Sequence, residues 1–363
     1  KSVGDVPAYL TSLDRESRFR RRLPVTTDCG RRTGCTSEDA SLLKEGSDAG
    51  PVDHTSLSPP FTSRMRLRHD AAQLAHLQRK LEDDGAVALM TTMPGVPLPQ
   101  ATSLDVVEGT LLEYNKLVQK YGEPSRAMLA APTLYDAGLV DRLELDGDDW
   151  QAIKHWYNRV AYVSDAMEYV TGAMVKGGPQ FAKAEEDFAR DGVAVIDGLL
   201  TEDMLSALIT FSLDSTVFYQ NKPGYLVARL EGGFGAGELG YMVEELKRKL
   251  PETICSHNLK GLRIVKDDDG GGGEELQSRD YAVTVSVWLT PDSSREPGED
   301  GGGLVVYLAE PQWTEADFGT YYGKAKARKA VREDGRKVEV AYKQNRAVVY
   351  KSSLASEAQG EGG

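Results

Sequence analysis

The chain has 363 residues, of which 40% are apolar and 27% charged, a balance that fits a folded globular protein. A formal charge of −13 argues against a general affinity for nucleic acid or anionic lipid. No stretch approaches the roughly 18 apolar residues of a membrane helix, so no transmembrane segment is expected. Three cysteines (Cys29, Cys35 and Cys255) are too few for a disulfide framework. Cys29 and Cys35 could pair or help bind a metal, but free thiols are expected there. The first residue is Lys, so either a leader was removed, which would favour an organelle such as a chloroplast or mitochondrion, or the sequence is part of a longer chain.

Residues 1–62 lack hydrophobic periodicity and are rich in Ser, Thr, Gly, Pro and Arg. "RFRRRLP" is a basic cluster and "SLSPPFTS" an extended Pro-rich linker. Such a segment buries too little apolar surface to offset its own ordering entropy. It reads either as an arm laid over a partner or as a loose tail. Residues 1–35 hold eight Lys and Arg against four Asp and Glu, while the rest of the chain is acidic. As an arm it would dock on an acidic or grooved protein surface through Arg18, Arg20, Arg21 and Arg22, because guanidinium forks bind carboxylates in pairs.

Residues 63–183 read as helical. Leu67, Leu74, Leu77 and Leu81 form one stripe. "TSLDVVEGTLLEYNKLVQKYG" opens with Thr102 or Ser103 as N-cap and stops at Gly122. Trp150, Ile153, Trp156, Tyr157, Val160 and Val163 keep helical spacing, which predicts core packing. His69, His76 and His155 fall in these helices and are expected to be solvated or hydrogen-bonded rather than metal ligands.

From about residue 184 the period changes to two. "GVAVIDGLL" reads as a strand leading into a helix near Thr201. The segments "PGYLVARLEGG", "LKGLRIVKD", "YAVTVSVWLTPD", "GGLVVYLAEP", "RKVEVAYK" and "NRAVVYKSS" come next as short strands separated by turn signals. Val283, Val285, Val287 and Leu289 alternate with Thr284, Ser286 and Trp288, so one face should pack on a core. Several short strands around one core suggest a sandwich or jelly roll. "GAGELG" sets Gly235, Gly237 and Gly240 in a GxGxxG pattern between a strand and a helix, as a dinucleotide fingerprint requires. The acids of "RIVKDDD" lie beyond the usual spacing, and the chain continues as a run of strands, so a glycine-rich connection is the favoured reading.

The segments from about Phe188 to Glu357, in their order, resemble the iron(II)- and 2-oxoglutarate-dependent oxygenase-like domains. These are the prolyl-hydroxylase-like domains often attached to tetratricopeptide repeats. "MRLRHDAAQL" is similar to a segment that often precedes them. The resemblance implies an α+β fold: a double-stranded β-helix (jelly roll) with flanking helices over 184–363, preceded by the helical region 63–183 and the extended arm 1–62. It also implies a facial triad, His-x-Asp before one strand and a second His at a later strand end, holding Fe(II) with one face open for 2-oxoglutarate and oxygen. An Arg beyond the second His would pair with the far carboxylate of 2-oxoglutarate.

The triad's residues are not in the sequence. Counting back from "VTVSVWLTPD", the His position falls on Gln277 and the Asp position on Arg279. A one-residue slip brings in Asp280 but no histidine. Counting forward from "NRAVVYKSSL", the second His falls on Ser356. The last histidine is His257, and "EAQGEGG" after Ser356 holds no Arg. A cation at Arg279 would repel a divalent metal by something on the order of several kcal/mol at an effective dielectric of about 20. The acids Asp267, Asp268, Asp269, Glu274 and Glu275 could bind a hard cation but are expected to be solvated.

The expectation is therefore a catalytically inactive oxygenase-like protein, with no catalytic, cofactor-binding or metal residues. Its role would be structural or accessory, in a larger assembly of protein subunits reached through the arm. The alternative is an active prolyl-hydroxylase-like dioxygenase that uses Fe(II) and 2-oxoglutarate through atypical ligands.

Overall fold

The structure is a computed structural model. It describes residues 61–84, 104–121, 142–157, 162, 164, 166–218, 220–222, 225–229, 237–257, 263–267, 282–294, 303–309 and 329–358. The chain forms mixed helix and sheet, and every strand pair among the described residues is antiparallel. Among the described residues no helix is long and apolar enough to cross a membrane.

The first part is helical around its own core. A short strand β1 (Phe61–Ser63) leads directly into α1 (Arg64–Asp84). Helix α2 (Leu104–Tyr121), strand β2 (Arg142–Glu144) and α3 (Gly147–Ile153) come after it, and β1 pairs with β2. The α1 stripe of Leu67, Leu74 and Leu77 meets Val107, Tyr114 and Leu117 of α2, with Leu143, Trp150 and Ile153 closing the cluster. Two expectations need correcting here. Residues 61–62 belong to β1 and not to a coreless arm. The helix carrying Trp150 ends at Ile153, and residues 166–169 form only a 3-10 turn. The helical spacing still has a cause: Trp156 N and Tyr157 N both donate to Ile153 O, and this turn brings the two side chains to the core without a longer helix.

The second part begins with α4 (Gln180–Asp191) and strand β3 (Val193–Asp197), so the change to strands comes at Val193. Gly192 joins them in the left-handed region at φ 75°, and its N–H closes the helix on Phe188 O. A Cβ there would lie 3.2 Å from Lys351 Cδ, so glycine lets the helix turn tightly into the sheet. Helix α5 (Glu202–Asp214) starts at Thr201 as expected, and the Thr201 hydroxyl accepts from Met204 N. Strands β4 (Gln220–Lys222) and β5 (Tyr225–Arg229), helix α6 (Gly237–Lys249) and strand β6 (Arg263–Asp267) come next. The final strands are β7 (Val283–Val287), β8 (Leu304–Tyr307), β9 (Lys337–Val340), β10 (Arg346–Lys351) and β11 (Ser356–Ala358).

These strands make three sheets, in the orders β3-β10-β7, β11-β8-β9 and β4-β5-β6. The first sheet is covered on both faces. On one side Ala194, Ile196, Ala347 and Val349 pack on Phe181, Met204, Leu208, Phe211 and Leu246 from α4, α5 and α6. On the other side Val193, Val348 and Tyr350 meet Val306 and Val340 of the β11-β8-β9 sheet. The result is a layer of helices, then a sheet, then a second sheet. This changes the reading of β7. Val283, Val285 and Val287 face the helices as expected, but Thr284, Ser286 and Trp288 are half-buried and lie on the side of the second sheet. Gly237 opens α6, but β5 pairs antiparallel with both β4 and β6. That excludes the parallel β-α-β crossover of a dinucleotide fingerprint at this point.

Candidate functional site

Between the two packed sheets the chain places a small group of hydroxyls. Register sets it: Tyr350 of β10 stands opposite Thr284 of β7, and Ser356 of β11 stands opposite Val306 of β8. Directly opposed residues project to the same face, so Ser356 shares the inward face with Val306, which is fully buried in the inter-sheet core. Ser356 is 6% exposed, and its Oγ donates to Tyr350 Oη at 3.2 Å across the sandwich. Thr284 Oγ1 and Ser352 Oγ lie 2.6 Å apart beside it. Glu357 takes the opposite face of β11, where it accepts from Tyr307 and, at 2.9 Å, from Arg332.

Of the positions assigned from sequence, Ser356 is therefore inside the sandwich at a strand start. Gln277, Arg279 and Asp280 lie outside the described residues, as do Arg18, Arg20, Arg21 and Arg22 and the acids Asp268, Asp269, Glu274 and Glu275. Asp267 ends β6.

A neutral hydroxyl is a poor replacement for imidazole, and that of Ser356 already has a partner in Tyr350. Among the described residues no three His, Cys, Asp or Glu side chains cluster so as to hold a metal ion. His69 and His76 face carboxylates, at 3.1 Å from Asp70 and 2.7 Å from Asp214 respectively. His155 and His257 are exposed. Cys255, buried after α6, is disulfide-bonded.

Sequence reading missed Tyr350, Thr284 and Ser352 as a group. They sit on two strands and a turn far apart in sequence, so only the sheet register brings them together. It also missed a buried ion pair on α1. Arg66 and Asp70 stand four residues apart, a helical pairing visible in "RLRHD". Arg66 Nε is 2.8 Å from both oxygens of Asp70, and Tyr114 Oη donates to the same carboxylate at 3.3 Å. Burial pushes the Asp70 carboxyl upward, but the charge of Arg66 and the bonds from His69 and Arg66 outweigh it and hold it below the usual range. Burial drives the Tyr114 hydroxyl well above its ordinary value.

No protein-family model matches the chain, and no curated protein matches it significantly. Among solved structures it is similar to a prolyl-4-hydroxylase from Pseudomonas putida, with 16% identity and a TM-score of 0.35 over 50% of this chain and 92% of that one. It is also similar to SnoK, a non-heme alpha-ketoglutarate-dependent carbocyclase from nogalamycin biosynthesis, with 12% identity and a TM-score of 0.33 over 51% and 82% of the two chains. At such scores neither likeness carries an argument about this chain.

Proposed function

We propose that this protein is a catalytically inactive member of the 2-oxoglutarate- and iron(II)-dependent oxygenase type, with a double-stranded β-helix over 184–363, serving as a structural or accessory subunit of a larger assembly. Ser356 carries the reading. It occupies the position that the resemblance assigns to the second His, it is buried between the sheets, and its hydroxyl is taken up by Tyr350. The strand path supports the jelly roll. From β7 the chain crosses to the second sheet for β8 and β9, returns for β10, and crosses again for β11, as double-sheet rolls do. The same chain holds no histidine after His257 to replace Ser356 as an iron ligand.

The test is iron content and turnover. The purified 363-residue chain is loaded anaerobically with Fe(II) and 2-oxoglutarate, desalted, and analysed for iron by mass spectrometry and for succinate. Iron far below one per chain and no succinate above blank are expected. One iron per chain with 2-oxoglutarate-dependent succinate would refute inactivity and establish the active dioxygenase.

The subunit role rests on the basic arm. Because β1 begins at Phe61, the truncation belongs at residue 60. The shortened chain should fold but elute free of the native assembly. Combined Arg18→Ala, Arg20→Ala, Arg21→Ala and Arg22→Ala should weaken incorporation in the same direction. Normal assembly of the truncated chain would remove the arm from the proposal.

A further inference from the structure

The ion pair on α1 borders a cavity. Arg66, Asp70, Gln73 and Thr216 give it polar wall, and Leu74, Trp156 and Phe218 give it apolar wall. The space is about 30 Å³ and communicates with solvent. Arg66 is 3% exposed. Its Nε is engaged by Asp70, and the Tyr157 ring lies 5.1 Å from the guanidinium carbon. Its Nη1 is buried with no hydrogen-bond partner. Burial lowers the guanidinium's proton affinity, but the Asp70 charge more than restores it, so the group stays charged. A buried charged donor with an open N–H calls for an acceptor.

The neighbours narrow its chemistry. Asp70 already receives Arg66, His69 and Tyr114, so a cation brought to the cavity would meet a satisfied carboxylate and an uncompensated guanidinium. A dianion such as phosphate would need several donors, and its second charge would face Asp70 across the same guanidinium. A single carboxylate can accept from the open Nη1 N–H of Arg66. Trp156 and Phe218 border the same space and give apolar contact to whatever is attached to it.

We propose that this cavity binds a small monocarboxylate, with its carboxylate on Arg66 Nη1 and its apolar body against Trp156 and Phe218. The site lies outside the inter-sheet hydroxyl group and does not depend on whether that group can hold iron.

Calorimetry and ligand-observed NMR on the full chain would use acetate, propionate and benzoate at fixed ionic strength, against acetamide, benzamide and phosphate. One saturable carboxylate site per chain is expected, with benzoate tighter than acetate and no matching site for the amides or phosphate. Arg66→Lys keeps the charge but loses the planar edge, and should weaken carboxylates by at least about tenfold, the scale of one charge-assisted contact. If that variant fails to fold, Trp156→Ala leaves the ion pair intact and should weaken benzoate more than acetate. Absence of saturable carboxylate binding to the intact chain overturns the proposal. So does benzoate affinity unchanged in Trp156→Ala, or phosphate binding as tight as acetate.

Discussion

Tyr350 and Ser356 meet across the two sheets, so each reports on the other. In Ser356→Ala the Tyr350 hydroxyl loses that contact in a buried setting, and the cost should be about 1 kcal/mol by urea denaturation. Ser356→His forces a larger ring into packed space. It should cost roughly 1–3 kcal/mol and, alone, leave iron binding where it was. The position of Ser356 was legible by counting along the strand motifs. Its partner was not, because nothing in the local pattern of β10 says which residue of another strand it will face. Asp197, at the end of β3, offers a second probe. Arg346 donates to it from Nε at 2.5 Å and Nη2 at 3.0 Å, and Lys343 adds a contact at 3.0 Å. The Arg346 bonds, outweighing modest burial, hold the carboxyl down to about 2. An unfolded Asp titrates near about 3.9. The folded value being the lower, the pair stabilises the protein above about pH 4 and loses that contribution as pH falls through about 2. The carboxyl is 47% exposed, so solvent screening keeps the contribution small. In Arg346→Met the Asp197 midpoint should rise toward its ordinary value by NMR titration, and an unmoved midpoint would mean the pair does not form in solution.

Strands and helices were readable where local periodicity and burial coincide. The α1 stripe, α2, and the strands β3, β5, β7, β8, β9 and β10 follow from patterns of three to four or of two, because each buries at least one continuous face. β11 was not readable as a strand. "SEA" has no β-branched or aromatic residue, and its pairing with β8 comes from the sheet and not from propensity. β1, β2 and β4, each three residues long, are too short to show a period. The turn into β10 depends on one residue. Asn345 adopts φ 60°, and its side chain accepts from Leu200 N and donates to Leu200 O, both at 2.8 Å. It thereby ties the start of β10 to the end of the β3-α5 connection. Asn345→Ala keeps the unfavourable dihedral and strands both backbone groups, so a loss on the order of 3 kcal/mol is expected in chemical denaturation. Thr201→Ala, which removes only the cap of α5, should cost about 1 kcal/mol. If the two variants lost equal stability, the Leu200 clamp would be weaker than its geometry implies.

At the scale of the whole molecule, among the described residues, the two cores meet along residues 214–218, the stretch leaving α5, and at Met65 of α1, which packs in the sandwich-side core. Gln73 donates to Ser215 O at 2.5 Å, and His76 and Lys80 reach Asp214 at 2.7 and 2.6 Å. Ser164 N donates to Ser215 Oγ, Tyr162 O accepts from Thr216 N, and His69 stacks edge-on against Phe218. The division into a helical and a strand-rich region was visible in sequence as a change of period. The joint was not, since its partners are up to 142 residues apart and share no motif. Asp214→Asn should weaken the contacts to His76 and Lys80 while leaving the inter-sheet core alone. Hydrogen exchange should then show α1 and α2 amides losing protection ahead of β3 and β10; uniform loss would argue that the two cores open together. The same joint has a mechanical consequence. A load applied between the first helices and the sandwich would fall in part on this stretch and the polar bonds along it. Under tension those bonds should fail first and together, releasing the helical end while the sandwich stays closed, so the joint would act as a force fuse.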